Sequence, residues 1–215
     1  MRKASSDSRP IKPISQRRIG LTGGIASGKS SVGRWLAQQG LPLLDADQFA
    51  REALAPGCSA TTTVLERYGS DVQAEGAATI DRAALGRIVF QNPSERKWLE
   101  QLIHPIVRER FNQDLKMHAQ APAVVLMIPL LFEAGLELLC SEIWLIDCDA
   151  SQQLERLMKR DGLAAEAAQA RIAAQWPLSR KRALADHVLS NQGNPGEWQA
   201  QALDLLRTKG KADSN

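Results

Sequence analysis

Cysteine is sparse and unpaired in this 215-residue chain: Cys58, Cys140 and Cys148 form no C-x-x-C spacing and are odd in number. That argues against a disulfide scaffold and a thiolate zinc site, and for a reducing compartment. Long apolar runs are missing as well. The longest, Ala121 to Phe132, falls short of the ~20 residues a bilayer requires and is broken by prolines. No signal-peptide core precedes it, so a cytoplasmic protein without membrane partners is expected. A broad basic surface is also lacking, despite a pI near 8.9. Residues 1–18 carry six Lys/Arg against one Asp, a net +5; the whole chain is +3, which leaves −2 for residues 19–215. A nucleic-acid partner is therefore not expected. The 44% hydrophobic and 24% charged residues are those of an ordinary soluble protein, one α/β domain with an appendage.

What is present is concentrated between Arg18 and Leu36. Gly23, Gly28, Lys29 and Ser30 fit G-x-x-x-x-G-K-[ST], the phosphate-cradling P-loop. Glycines let the backbone turn tightly and approach a phosphate chain with no Cβ in the way. The N–H groups of Gly24 to Ser30 can then face anionic oxygens, backed by a helix N-terminus. Lys29 would reach the β- and γ-phosphates, and the Ser30 hydroxyl would ligate Mg²⁺. The flanks agree: Ile19 to Thr22 reads as a strand, and Ser31 to Gln39 as a helix stopped by Gly40. The chain lacks an Asn-Lys-x-Asp guanine reader and an apolar strand ending in Asp-Glu, against a GTPase switch and a motor-type ATPase.

Along the chain, residues 1–17 read as a disordered basic tail. Their Arg- and Ser-rich composition also admits a short transit peptide, but a solvated extension is preferred. Further strands are expected at Leu41–Leu44, Ala123–Ile128, Ile143–Ile146 and His187–Leu189. Five strands alternating with helices predict a three-layer, doubly wound parallel α/β sheet. Residues 18–208 form a single domain, with its core in 18–47, 119–150 and 186–208, and 209–215 fray. Residues 48–118 read as a helical insertion, with helices at Gln48–Leu54, Ser59–Tyr68, Asp81–Phe90 and Pro93–Met117, and His104-Pro105 kinking the last or starting a new segment. Residues 151–185 read as three helices: one capped by Ser151 and ending about Arg160, then Ala164–Gln175 and Ser179–Ala185. Asn194-Pro195 opens a C-terminal helix.

Asp45 and Asp47 follow the second strand, at the end of the sheet where open α/β folds bind ligands. Catalysis or metal binding is preferred there over capping of the next helix, for which Asp47 is well placed. Arg156 and Arg160 share a helical face, as Glu155 and Lys159 do. They read as a solvated face or as arginines that close on a transferring phosphoryl group. His104, with no second His or Cys nearby, is a poor metal ligand. Asn191-Gln192-Gly193 is a turn whose position also suits contact with a nucleotide base.

Taken together, Leu21 to Ser30, Asp45-Ala46-Asp47, His104-Pro105, Pro129 to Glu133, Arg156 with Arg160-Asp161, and Lys181…Ala185-Asp186…Asn191-Gln192-Gly193 resemble the dephospho-CoA kinase family. The matches are collinear from about Ile19 to Leu206. The resemblance implies ATP-dependent phosphorylation of the ribose 3′-hydroxyl of dephospho-CoA, with Mg²⁺, a helical CoA domain and an arginine-bearing lid. Asp47 matches the presumed general base, with Lys29 and Arg156 beside it in catalysis. Gly24, Ile25, Ala26, Ser27, Gly28, Lys29, Ser30 and Ser31 bind ATP phosphates, Arg156 and Arg160 are lid arginines, and Asn191 approaches the adenine. Thr22, Asp47, His104, Arg108 and Leu130 fall at the acceptor, and Asp45 near the metal through water. The family often has Gly where this chain has Ala26, which narrows the loop's freedom without removing an N–H. A monomer is expected, with a weak oligomer as the alternative. The runner-up activity is another small-molecule P-loop kinase, acting on a nucleoside monophosphate or similar acceptor.

Overall fold

Five parallel strands make one sheet in the order β2-β3-β1-β4-β5: β1 (Arg17–Gly23), β2 (Leu43–Asp45), β3 (Ala123–Met127), β4 (Glu142–Asp147) and β5 (His187–Ser190). The computed structural model describes residues 16–74 and 78–209; of the tails expected at 1–17 and 209–215, residues 1–15 and 210–215 lie outside them. Gln16 and Arg17, expected in the tail, belong to the folded part. Arg17 pairs with Ala123 in the ladder, and its guanidinium bonds Glu142 and the carbonyls of Leu205 and Leu206. A central strand covered on both faces can bury such a residue only by satisfying its charge, and Glu142 does so.

Nine α-helices accompany the sheet among the described residues: α1 (Lys29–Gln38), α2 (Ala46–Ala53), α3 (Ser59–Tyr68), α4 (Arg82–Gln91), α5 (Pro93–Met117), α6 (Ala150–Asp161), α7 (Ala165–Ala173), α8 (Leu178–Arg182) and α9 (Pro195–Lys209). Strand side chains alternate between faces. Val124, Leu126 and Ile128 pack with Phe49, Val107 and Phe111 of α2 and α5. Val125 and Met127 face the other way, with Val32 and Leu36 of α1 and Trp198 of α9. Both faces being apolar is why β3 and β4 read as continuous hydrophobic runs. A third cluster, around Val64, Val72, Ile80 and Leu85, joins α3 and α4 to the start of α5. No described helix is long and apolar enough to cross a membrane.

Three local expectations are corrected. Helix α5 continues through Pro105, so no new segment starts there: Ile103, Val107, Phe111 and Leu115 bury one row of its side chains while Pro105 faces solvent. The cost of the missing backbone bond is carried by that packing. Helix α2 starts at Ala46, so its cap is Asp45, whose carboxylate accepts the Asp47 N–H at 2.9 Å; Asp47 lies inside the first turn. Helix α6 likewise starts at Ala150, one residue before the expected cap Ser151, with Asp149 at the N-cap and no side-chain cap bond.

Candidate active site

At the carboxyl end of β1 the chain turns through Gly23 to Gly28 into α1. Gly28 sits in the left-handed region at φ 99°, where a Cβ would also collide with the Asn191 carboxamide, so glycine is required twice over. Ala26 has φ 57°, a conformation that costs a side-chain-bearing residue about 1 kcal/mol or more. Ala26→Gly is expected to raise thermal stability, by up to ~1 kcal/mol in urea unfolding, with turnover preserved; a destabilised variant would show that the loop is unstrained there.

Lys29 is 9% exposed and donates to Gly23 O and Gly24 O, both at 3.2 Å. Burial first, then the Lys181 and Arg160 charges, pull its pKa down to about 8, against the opposing pull of Asp47 and Asp45. A cation held at such a cost is poised for an anionic partner. Lys29 shares a polar cavity of about 320 Å³ with Ser30, Asp45, Asp47, Arg51, Arg160 and Gln175. A second cavity of about 210 Å³ is largely apolar, walled by Ala50, Leu99, Ile103, Val107, Ile128 and Leu136, with His104 at its edge. The two share Asp47, Pro129 and Leu130. Asp47 thus stands where a polar and an apolar compartment meet. Desolvation in this crevice and then the Asp45 carboxylate push its pKa up, against Lys29 and Arg51. Its side chain is still exposed by surface area, so the crowding is local to the carboxyl and deepens only when a ligand displaces water.

Other expected site residues fall differently. The Thr22 side chain is fully buried and donates to Pro129 O at 3.2 Å, so it lines neither cavity and instead fixes the turn that separates them. Asn191 donates to Ser27 O at 2.8 Å and braces the loop from behind. Arg156 donates one guanidinium nitrogen to Asn191 O at 3.1 Å; its other terminal nitrogen, Nη1, is buried and finds no acceptor among the described residues. Such an orphaned charged donor calls for an anion or acceptor from outside the chain. Arg160 is gripped by Asp161 through Nε and Nη2, at 2.7 and 3.1 Å, and Asp161 also holds Arg171. Ser30 is exposed to the cavity, whereas the Ser31 N–H is already bonded to Gly28 O. Arg108, one turn beyond His104, reaches Gly135 O at 3.5 Å and lines neither cavity.

Four participants carry no motif of their own. Gln153 of α6 donates to Ile25 O, and Gln175, between α7 and α8, accepts the Ile25 N–H, both at 2.9 Å. Lys181 of α8 is fully buried, with Nζ 2.8 Å from Glu133 and 3.3 Å from Pro129 O. Glu133 and Lys181 lie within stretches that the family resemblance covers; the glutamines had no sequence signal beyond polarity.

Comparison with known proteins fits this geometry. The dephospho-CoA kinase family model matches residues 17–197. A dephospho-CoA kinase of Synechococcus sp. (strain CC9605) is 75% identical over 204 residues, covering 95% of this chain and 99% of its own length. That of Gloeobacter violaceus is 49% identical, over 90% and 93% of the two chains. A solved structure from Thermus thermophilus superposes with a TM-score of 0.77 at 36% identity, over 90% of this chain and 97% of its own. Campylobacter jejuni dephospho-CoA kinase does so with a TM-score of 0.68 at 26% identity, over 91% and 98%. The phosphate loop, the carboxylate at the meeting of two cavities and a match spanning nearly the whole folded region lead to one assignment: this chain belongs to the dephospho-CoA kinase family.

Proposed function

We propose that the chain transfers the γ-phosphoryl group of ATP to the ribose 3′-hydroxyl of dephospho-CoA, the last step of coenzyme A biosynthesis, with Asp47 as the general base. The observation that carries this reading is the position of Asp47 at the boundary between the polar and the apolar cavity. ATP phosphates occupy the polar compartment against the loop amides and Lys29. The aliphatic walls of the other suit the adenosine end of the acceptor, whose ring faces need apolar contact. The acceptor hydroxyl then lies between Asp47 and the γ-phosphorus. As the O3′–P bond forms, the bridging P–O bond breaks, its electron pair leaves with ADP, and the hydroxyl proton passes to Asp47. Lys29 and Arg160, which line this cavity, neutralise charge on the phosphates, and Arg156 joins them from outside its wall through the Nη1 that lacks an acceptor.

Ser30 and Asp45 are the groups that would hold Mg²⁺, Asp45 through water. Both face the polar cavity with hard oxygen donors, and Asp45 keeps one carboxylate oxygen beyond the one capping α2. No cluster of three ligating side chains exists among the described residues. That fits Mg²⁺, which is usually bound by one or two protein oxygens plus phosphates and water. When bound, it would supply charge neutralisation to the nucleotide phosphates. Both cavities are built within one chain, so the reading needs no second copy, and the free cysteines suit a reducing cytoplasm.

An acceptor screen tests the assignment. With ATP and Mg²⁺, dephospho-CoA is expected to give rapid ADP release, and AMP, CMP and shikimate far less. Comparable turnover of AMP or CMP would transfer the chain to the nucleoside monophosphate kinases.

A further inference from the structure

We propose that Gln175 is a ligand of the transferring phosphoryl group, presented to it by the P-loop itself. The inference rests on the ATP site described above and adds a residue to it. Ile25 N–H can only donate, so the partner 2.9 Å away must be the carbonyl oxygen of the Gln175 side chain. This fixes the orientation of the carboxamide: Oε1 is spent on the loop, and the NH₂ end, a donor, bonds no acceptor among the described residues. Gln175 lines the polar cavity together with Lys29, Asp47 and Arg160. Gln175 thus borders the same compartment as Asp47, into which the reading above puts the transferring phosphoryl group. Asn191 braces the loop elsewhere, at Ser27, while Arg156 bonds the Asn191 carbonyl, and neither lines this cavity.

The side chain is positioned, not merely nearby. The Ile25 peptide is held from both sides, its carbonyl accepting from the buried Gln153 while its N–H binds Gln175. Gly24 leaves the room this requires, because a Cβ there would collide with the Gln153 carboxamide. The residue after Gln175 is pinned as firmly. Trp176 N–H donates to Glu133 at 3.0 Å, and its ring stacks parallel to Phe132 with Arg180 on it. Glu133 is in turn paired with the fully buried Lys181. A donor held by its neighbours loses little freedom when it binds a developing charge, which is what makes such donors effective.

Nucleotides differing only in the third phosphate provide the test. Calorimetric titration with Mg²⁺ and either ADP or the imido analogue of ATP is made on wild type, Gln175→Ala and Gln175→Glu. In Gln175→Glu a carboxylate oxygen can still accept the Ile25 N–H, so the loop keeps its shape; the donor is gone and a negative charge faces the phosphate. Both variants are expected to bind the ATP analogue at least ~10-fold more weakly, with ADP affinity within about 2-fold and kcat down ~10- to 100-fold. Equal losses for both nucleotides would make Gln175 a brace of the loop only and overturn the proposal. So would tighter binding of the ATP analogue, which would make Gln175 a plug that nucleotide must displace. If wild type itself bound neither nucleotide, the ATP site would fail, and with it the ground for the proposal. Should Gln175→Ala not fold, Gln175→Glu decides alone.

Discussion

Asp47→Asn is expected to lower kcat for dephospho-CoA phosphorylation at least ~100-fold while ATP binding and folding persist. The asparagine keeps size and shape but cannot take the proton. Phosphoryl transfer relies chiefly on positioning and charge neutralisation, so a residual rate remains from Lys29 and the arginines. Folding should survive because the α2 cap belongs to Asp45 and not to Asp47. The pH dependence adds a second reading. The Asp47 pKa is raised, first by desolvation and then by Asp45, so the acidic limb of kcat should lie above the ordinary carboxylate range. Removing the residue should abolish that limb. The stability sign follows the same shift. A carboxyl whose folded pKa is raised holds its proton more tightly when folded, so it detracts from stability once pH exceeds that pKa. At neutral pH Asp47→Asn should therefore melt no lower than wild type. Asp45→Ala, by contrast, should cost about 1 kcal/mol through the lost cap, and Asp45→Asn should keep most of it. An Asp47→Asn that unfolds, beside an Asp45→Asn that folds but has lost turnover, would exchange the two roles.

The misplacement of that cap in the sequence has a physical source. Asp45-Ala46-Asp47 offers an N-cap carboxylate in two registers two residues apart, and both lead into the same apolar pattern at Phe49 and Ala53. Only the backbone of the β2–α2 turn, extended at Asp45, distinguishes them. The P-loop was legible because its geometry is dictated locally, by glycines whose backbone angles other residues avoid. The strands were legible because burial on both faces leaves an uninterrupted apolar run. Pro105 starts no new segment because a row of contacts to β3 and α2, which a sequence does not display, holds the helix together across it. The same holds for the attachment of residues 151–185 to the phosphate loop. Gln153 and Gln175 meet Ile25 across 128 and 150 residues, and Trp176 meets Glu133 across 43. Polar partners so far apart follow no period, so a sequence read alone gives them no weight. Resemblance to a family supplied the stretches containing Glu133 and Lys181, but not the fact that they hold each other.

Lys29→Met should lower kcat by about 10²–10³-fold, because it removes a preorganised donor from the phosphates in a water-poor site. The methionine fills similar volume, so the fold should remain, and its stability carries the more telling signal. In wild type the folded pKa of Lys29 is about 8 against an ordinary 10.5, chiefly through burial and secondarily through Lys181 and Arg160. Between those values the unfolded chain holds the proton that the folded one has released. The wild-type unfolding free energy therefore gains a contribution that rises with pH, by about 1.4 kcal/mol per unit and on the order of 3 kcal/mol in all. Lys29→Met lacks it. Urea unfolding at pH 7.5 and pH 10.5 should show wild type gaining on the variant by roughly that amount; parallel curves would mean that Lys29 is not strained in the empty site. Nucleotide should reverse the shift, because polyphosphate supplies the counter-charge that Asp45 and Asp47 provide only in part. ATP binding near pH 8 should then draw in about half a proton, read from binding heats in buffers of different ionisation enthalpy. Uptake that survives in Lys29→Met would assign the proton to another group.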